Sequence, residues 1–157
     1  MSIQVGQTAP DFTLYDSEKN KVTLSALAGS PVVVLFFPLA FTGVCTKEMC
    51  SVRDSMAAYN QSNAKVLGIS VDSLFTLAKF KEEQQLNFTL LSDFNRSVAS
   101  AFGVLYETFP AFEMQGVSKR AAFVIDGQGV IRYAEICATP GDLPDFAAIQ
   151  ATLSGLA

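Results

Sequence analysis

Two stretches of the sequence are too apolar and too short to be anything but buried strands. Val32-Val33-Val34-Leu35-Phe36-Phe37 is an unbroken run of β-branched, aliphatic and aromatic residues, and Lys65-Val66-Leu67-Gly68-Ile69-Ser70-Val71 is a second run of the same kind. A strand that is apolar on both faces must lie between two covering layers. Between the two runs Met49, Val52, Met56 and Tyr59 recur every three or four residues, with Lys47, Glu48, Arg53 and Asp54 mostly elsewhere. That pattern predicts a helix from about Cys45 to Tyr59.

The remaining chain extends this plan. Phe12 to Tyr15 and Val22 to Leu24 alternate around Ser17-Glu18-Lys19-Asn20 and read as a small hairpin. Helices are expected over Leu74 to Gln85, Arg96 to Phe102 and Leu143 to Leu153, with a short strand at Thr89 to Leu91. Ala121 to Ile125 and Val130 to Glu135 flank Asp126-Gly127-Gln128-Gly129, a strong hairpin signal. Strands alternating with helices build a covered central sheet, to which the late hairpin adds antiparallel strands. The expected fold class is therefore α/β: a thioredoxin-like three-layer sandwich with a central mixed β-sheet flanked by helices and an N-terminal β-hairpin extension.

No repeat, low-complexity tract or linker interrupts residues 1–157, which read as a single domain. At 157 residues, half of them hydrophobic, the chain can bury a core without disulfide staples. Its net charge of −4 repels phosphate backbones, so nucleic acid is not an expected partner. The longest apolar run, Pro31 to Phe41, is half a membrane span and is broken by Pro38. Met1 to Gln7 lacks a basic cluster followed by an apolar stretch, so neither a signal peptide nor a membrane is expected and the anticipated location is cytoplasmic.

The absence of histidine narrows the chemistry further. It removes Ser-His-Asp and Cys-His arrangements as well as imidazole-ligated zinc and haem. Three cysteines, Cys45, Cys50 and Cys137, are too few for a secreted disulfide scaffold or a four-cysteine metal site. Reactive thiols remain. Of the three, Cys45 is placed where a buried strand has ended at Pro38 and a helix begins. In α/β sheets ligands gather at that junction. The free N–H groups and partial positive charge of a helix start favour an ionised sulfur.

Pro38, Thr42 and Cys45 spell Pro-x-x-x-Thr-x-x-Cys, and the chain resembles the peroxiredoxins through this signature. The loop Phe36-Phe37-Pro38-Leu39-Ala40-Phe41-Thr42-Gly43 is similar to the alkyl hydroperoxide reductase E group. The Cys45-x4-Cys50 spacing is similar to the Q-type enzymes, or bacterioferritin comigratory proteins. Gly6 to Leu14 resembles the family's opening strand and Arg120 to Tyr133 its late hairpin.

The resemblance implies a peroxidase acting on hydrogen peroxide and organic hydroperoxides without cofactor or metal. Cys45 would be the peroxidatic nucleophile, with Thr42 sharing its hydroxyl between sulfur and peroxide and Pro38 covering the sulfur. The amides of Val44 and Cys45 would be donors to substrate, and Phe37, Phe41 and Phe109 would wall the pocket. A guanidinium is needed because it keeps its charge and several donors at any relevant pH. Arg53 is excluded, since eight residues place it about 12 Å along the helix from Cys45. Arg120 matches the family's arginine, with Arg132 as the alternative, and Glu48 resembles the glutamate that orients it.

By the same resemblance Cys50 resolves the oxidised Cys45, and thioredoxin or a similar dithiol protein restores both. Five residues apart in an intact helix, their α-carbons would be roughly 8.7 Å apart, beyond disulfide reach of about 4.4–6.8 Å. Pairing would therefore require the helix start to unwind. Alternatives are a one-cysteine peroxidase with an external resolving thiol, or a redox sensor or chaperone-like binding protein using the same thiol. Cys137 matches no family position and reads as structural or as a minor redox site, with a resolving role as the alternative. The E-type likeness implies a homodimer and the Q-type spacing suits a monomer.

Overall fold

The computed structural model describes residues 3–156. Seven strands form one mixed sheet: β1 (Thr13–Asp16), β2 (Lys21–Thr23), β3 (Val32–Phe36), β4 (Lys65–Ser70), β5 (Thr89–Ser92), β6 (Ala121–Ile125) and β7 (Ile131–Ile136). Their order is β2-β1-β5-β4-β3-β6-β7. Parallel pairing joins β3 to β4 and β4 to β5, while β6 runs antiparallel to β3 with Phe36 opposite Ala121. All five residues of β3 and of β6 are buried, as a doubly covered strand requires. At Gly68 a Cβ would stand 2.8 Å from Leu90 Cδ2, so any side chain there would require Leu90 to shift.

Five helices complete the expected three layers: α1 (Gly43–Asp54), α2 (Met56–Gln61), α3 (Leu74–Gln84), α4 (Ser97–Ala101) and α5 (Phe146–Gly155). Strand side chains alternate between two apolar clusters. Val33, Leu35 and Phe37 meet Met49 and Val52 of α1, Tyr59 of α2, Leu77 and Phe80 of α3 and Ile149 of α5. Val34, Phe36 and Phe123 face the other way, against Phe102, Val98 of α4 and Phe12 of the N-terminal segment. Among the described residues no helix is long and apolar enough to cross a membrane.

Two boundaries differ from the sequence expectation. The helix read from Cys45 to Tyr59 starts two residues earlier and is broken at Ser55, whose N–H turns back to Val52 and Arg53 carbonyls. Asn87 Nδ2 donates to the Arg53 carbonyl at 3.3 Å, supplying a partner from outside the helix. Met49, Val52, Met56 and Tyr59 all stay buried, so the periodicity survives the break that it could not reveal. The last helix begins at Phe146 rather than Leu143. Pro144 disfavours helical backbone at the residue before it, and Asp145 caps the true start by accepting from Ala148 N.

Candidate active site

β3 and β6 are paired so that their adjoining ends, Phe36 and Ala121, lie side by side at one pole of the sheet. Pro38 and Arg120, just beyond those ends, are both buried. The chain after Pro38 makes a tight excursion before α1. Phe41 takes a left-handed conformation (φ 69°), which costs a non-glycine residue about 1–2 kcal/mol. Thr42 Oγ donates to the Leu39 carbonyl at 2.7 Å instead of capping the helix through its side chain. The first helical bond of α1 runs from Thr46 N to Thr42 O. The amides of Gly43, Val44 and Cys45 therefore precede the helical ladder and have no carbonyl within it.

Cys45 occupies this first turn and is 1% exposed. Arg120 Nη2 donates to its Sγ at 3.3 Å. The same guanidinium donates through Nη1 to Glu48 Oε1 at 2.6 Å and through Nη2 to the Pro140 carbonyl at 2.9 Å. Glu48 lies three residues past Cys45, so the helix itself brings sulfur and carboxylate to one side. The other arginines are committed elsewhere. Arg132 pairs with Asp126 at 2.6 Å in the hairpin turn, Arg53 donates to Asp54 and the Gln84 carbonyl, and Arg96 donates to the Gly116 carbonyl.

The buried pair is electrostatically uneven. Burial pushes the Glu48 carboxyl up from its ordinary 4.5 to about 7, and the nearby Arg120 charge only partly offsets this. For Arg120 burial opposes the charge, yet Glu48 and Cys45 outweigh it and the guanidinium is held more firmly protonated than usual. Glu48 Oε2 and Arg120 Nε have no hydrogen-bond partner. Between pH 4.5 and 7 the unfolded chain has released the Glu48 proton while the folded chain keeps it, so the contribution of Glu48 to stability falls as pH rises through that window. Glu48→Gln should flatten the fall. Calorimetric melting of both proteins from pH 5 to 7.5 checks this, and parallel slopes would mean that the folded-state carboxyl is already ionised at pH 5.

A cleft of about 240 Å³ opens beside the thiol. Pro38, Thr42, Gly43, Val44, Cys45 and Arg120 line its inner end, while Phe109, Phe112 and Met114 supply an apolar outer wall. Three larger hollows, of about 290, 300 and 400 Å³, lie elsewhere and hold no thiol. Chemistry, rather than size, singles out the smaller one.

The structure thus brings Pro38, Thr42, Val44, Cys45, Glu48 and Arg120 together. Two expected wall residues lie outside the cleft. Phe37 is fully buried in the core with its ring 6.2 Å from Phe80, because alternation along the strand turns it under the helices. Phe41 is 47% exposed and packs its ring 5.2 Å from Phe80, a direction set by its left-handed backbone. Cys50 sits on α1, partly buried, with Sγ 3.4 Å from Gln84 Oε1. Cys137 is buried just past β7, its N–H donating to the Arg120 carbonyl and its thiol pushed up to about 11 by burial. All three cysteines are free.

Sequence reasoning missed Phe112, Met114 and Pro140, which come from irregular segments without periodicity. It also missed Asp72, whose carboxylate accepts from Ala40 N in the thiol loop at 2.8 Å.

Comparison with known proteins adds an independent line. Residues 5–134 match the model of the AhpC/TSA family. The chain is 38% identical over 146 residues to alkyl hydroperoxide reductase E of Mycobacterium tuberculosis, covering 91% of each chain. It is 39% identical over 132 residues to peroxiredoxin Bcp of Escherichia coli, covering 83% of this chain and 84% of that one. Among solved structures, peroxidoxin BcpB from Mycobacterium tuberculosis superimposes with a TM-score of 0.86 at 32% identity, over 99% of both chains.

Proposed function

The chain belongs to the AhpC/TSA family, whose members include the peroxiredoxin-type thiol peroxidases, and from that premise we propose that Cys45 reduces hydrogen peroxide and organic hydroperoxides. The reading is carried by one observation: a buried guanidinium donates to the Cys45 sulfur at the open end of a helix, beside a cleft. The sulfur attacks one peroxide oxygen; an S–O bond forms, the O–O bond breaks, and the departing oxygen takes a proton. Sulfur loses two electrons and becomes a sulfenic acid, while the peroxide becomes water or an alcohol. Negative charge passes along the line S–O–O, so fixed donors along it lower the barrier. Arg120 and the amides of Val44 and Cys45 are suited to that task, with the Thr42 hydroxyl between sulfur and substrate and Pro38 covering the sulfur. Glu48 acts through Arg120, fixing its plane.

The apolar outer wall suits the carbon body of an organic hydroperoxide, and its relatives' name, alkyl hydroperoxide reductase E, agrees with such substrates. Cys50 is the resolving thiol in this reading: its sulfur attacks the sulfenic sulfur, an S–S bond forms and water leaves. Both cysteines lie within α1, so the first turns of that helix must open for them to meet. The exposed disulfide is then reduced by thioredoxin or a similar dithiol protein, which is itself oxidised.

Non-reducing peptide mapping after one equivalent of hydrogen peroxide tests the second half of the cycle. The expected product is a Cys45–Cys50 crosslink. A stable Cys45 sulfenic acid with Cys50 still free would instead assign resolution to an external thiol.

A further inference from the structure

Asp72 follows β4 and approaches neither thiol nor guanidinium through any hydrogen bond, yet it ties the thiol loop to the sheet. Its Oδ2 accepts from Ala40 N at 2.8 Å and from Ser70 Oγ at 2.6 Å. Its own carbonyl accepts from Ser92 Oγ of β5 at 2.6 Å. The half-buried carboxylate thus links the end of β4 to a loop 32 residues earlier in the chain, while the backbone carbonyl of the same residue holds β5.

The segment it holds would not keep its shape unaided. Ala40 precedes Phe41, the left-handed residue, and Thr42 follows with its hydroxyl turned back to Leu39. A non-glycine residue persists in that region only where its surroundings over-determine it. Ala40 is pinned on one side of Phe41, and α1 fixes the other. If Ala40 N were released, Phe41 could relax, and the relaxation would rotate Thr42 and the amides of Val44 and Cys45. The two amides are donors the peroxide needs and the Thr42 oxygen is an acceptor for its proton, whereas the guanidinium beside the sulfur is carried by a different segment.

We propose that Asp72 is a positioning residue for peroxide reduction, aligning the Thr42 oxygen and the Val44 and Cys45 amides through the Ala40 amide. The inference rests on the peroxidase reading above. It separates two properties of Cys45: reactivity with any electrophile, and the added reactivity with a peroxide that must lie along fixed donors. Iodoacetamide senses the first, hydrogen peroxide the second.

The test measures, on the full chain, single-turnover consumption of hydrogen peroxide and site-resolved alkylation of Cys45 by iodoacetamide. Asp72→Ala should slow the peroxide reaction about 10- to 100-fold, the range expected when reacting groups are misplaced by about an ångström. Alkylation should stay within about twofold, because it follows thiolate content and access. Asp72→Asn should remain near wild type in both, since one amide oxygen can accept both bonds that Oδ2 accepts. Asp72→Leu keeps the side chain's bulk but cannot accept from Ala40 N, and should show the same loss with alkylation again unchanged, which keeps the test informative if Asp72→Ala does not fold. An undiminished peroxide rate in Asp72→Ala, or in Asp72→Leu if that is the only folded variant, overturns the proposal. So does a parallel fall of peroxide and alkylation rates. A wild-type chain that consumes no peroxide would sink the peroxidase reading itself.

Discussion

Cys45→Ser should lose all catalysed peroxide consumption while folding as the wild type does. The hydroxyl is smaller than the thiol and can accept the Arg120 hydrogen bond now made to sulfur, so the buried guanidinium keeps a partner. A serine hydroxyl is not ionised at neutral pH without a base, and the chain has no histidine to act as one. The other thiols do not substitute. Cys137 is buried with its thiol held protonated, and Cys50 lies partly buried on α1 against Gln84. Peroxide consumption with a dithiol reductant, beside a melting curve, checks the result. Turnover retained by Cys45→Ser would move the chemistry to another sulfur.

Arg120→Met should slow the first oxidation of Cys45 by about 10² or more, the usual cost of losing one preorganised donor in a site closed to water. Methionine nearly fills the guanidinium's volume without charge, so the effect isolates electrostatics from packing. Glu48 loses its counter-ion in this variant and remains buried, which drives it further towards the neutral acid. Arg132→Ala is the matched control. Arg132 is paired with Asp126 at the opposite end of β6, and its removal should leave the rate unchanged. Single-turnover oxidation followed by mass spectrometry measures both, and an undiminished rate in Arg120→Met would deny the guanidinium its part.

How far the sequence revealed this site depended on how local each signal was. Pro38, Thr42, Cys45 and Glu48 lie within eleven residues, and strand and helix periodicity alone put them at one junction. Arg120 opens a recognisable buried strand, and it is the resemblance to the peroxiredoxins that singles it out from Arg132. The sheet was legible because doubly covered strands such as Val32–Phe36 leave no polar face to confuse the pattern. The rest depends on tertiary meeting points. Asp72 resembles any carboxylate after a strand until Ala40 is seen above it. Phe112 and Met114 belong to a segment whose course is set by hydrogen bonds such as Phe109 N to Met114 O and Arg96 Nε to Gly116 O, not by a repeating apolar pattern. Phe37 and Phe41 were misplaced for a related reason. Proximity in sequence to the thiol says nothing of side-chain direction, which for Phe41 follows from one backbone angle.

The interruption at Ser55 gives the molecule a natural firebreak. Helical order is cooperative within one ladder and passes poorly across a gap. Fraying that begins near Thr42 meets Met49 and Val52 of α1 buried under the sheet, and beyond the gap at Ser55 Met56 and Tyr59 of α2 anchor a separate ladder in the same core. In the proposed cycle, an opening of the first turns at the thiol would thereby be kept from spreading along the chain, and the helix start would reseal without staking the whole fold on each turnover.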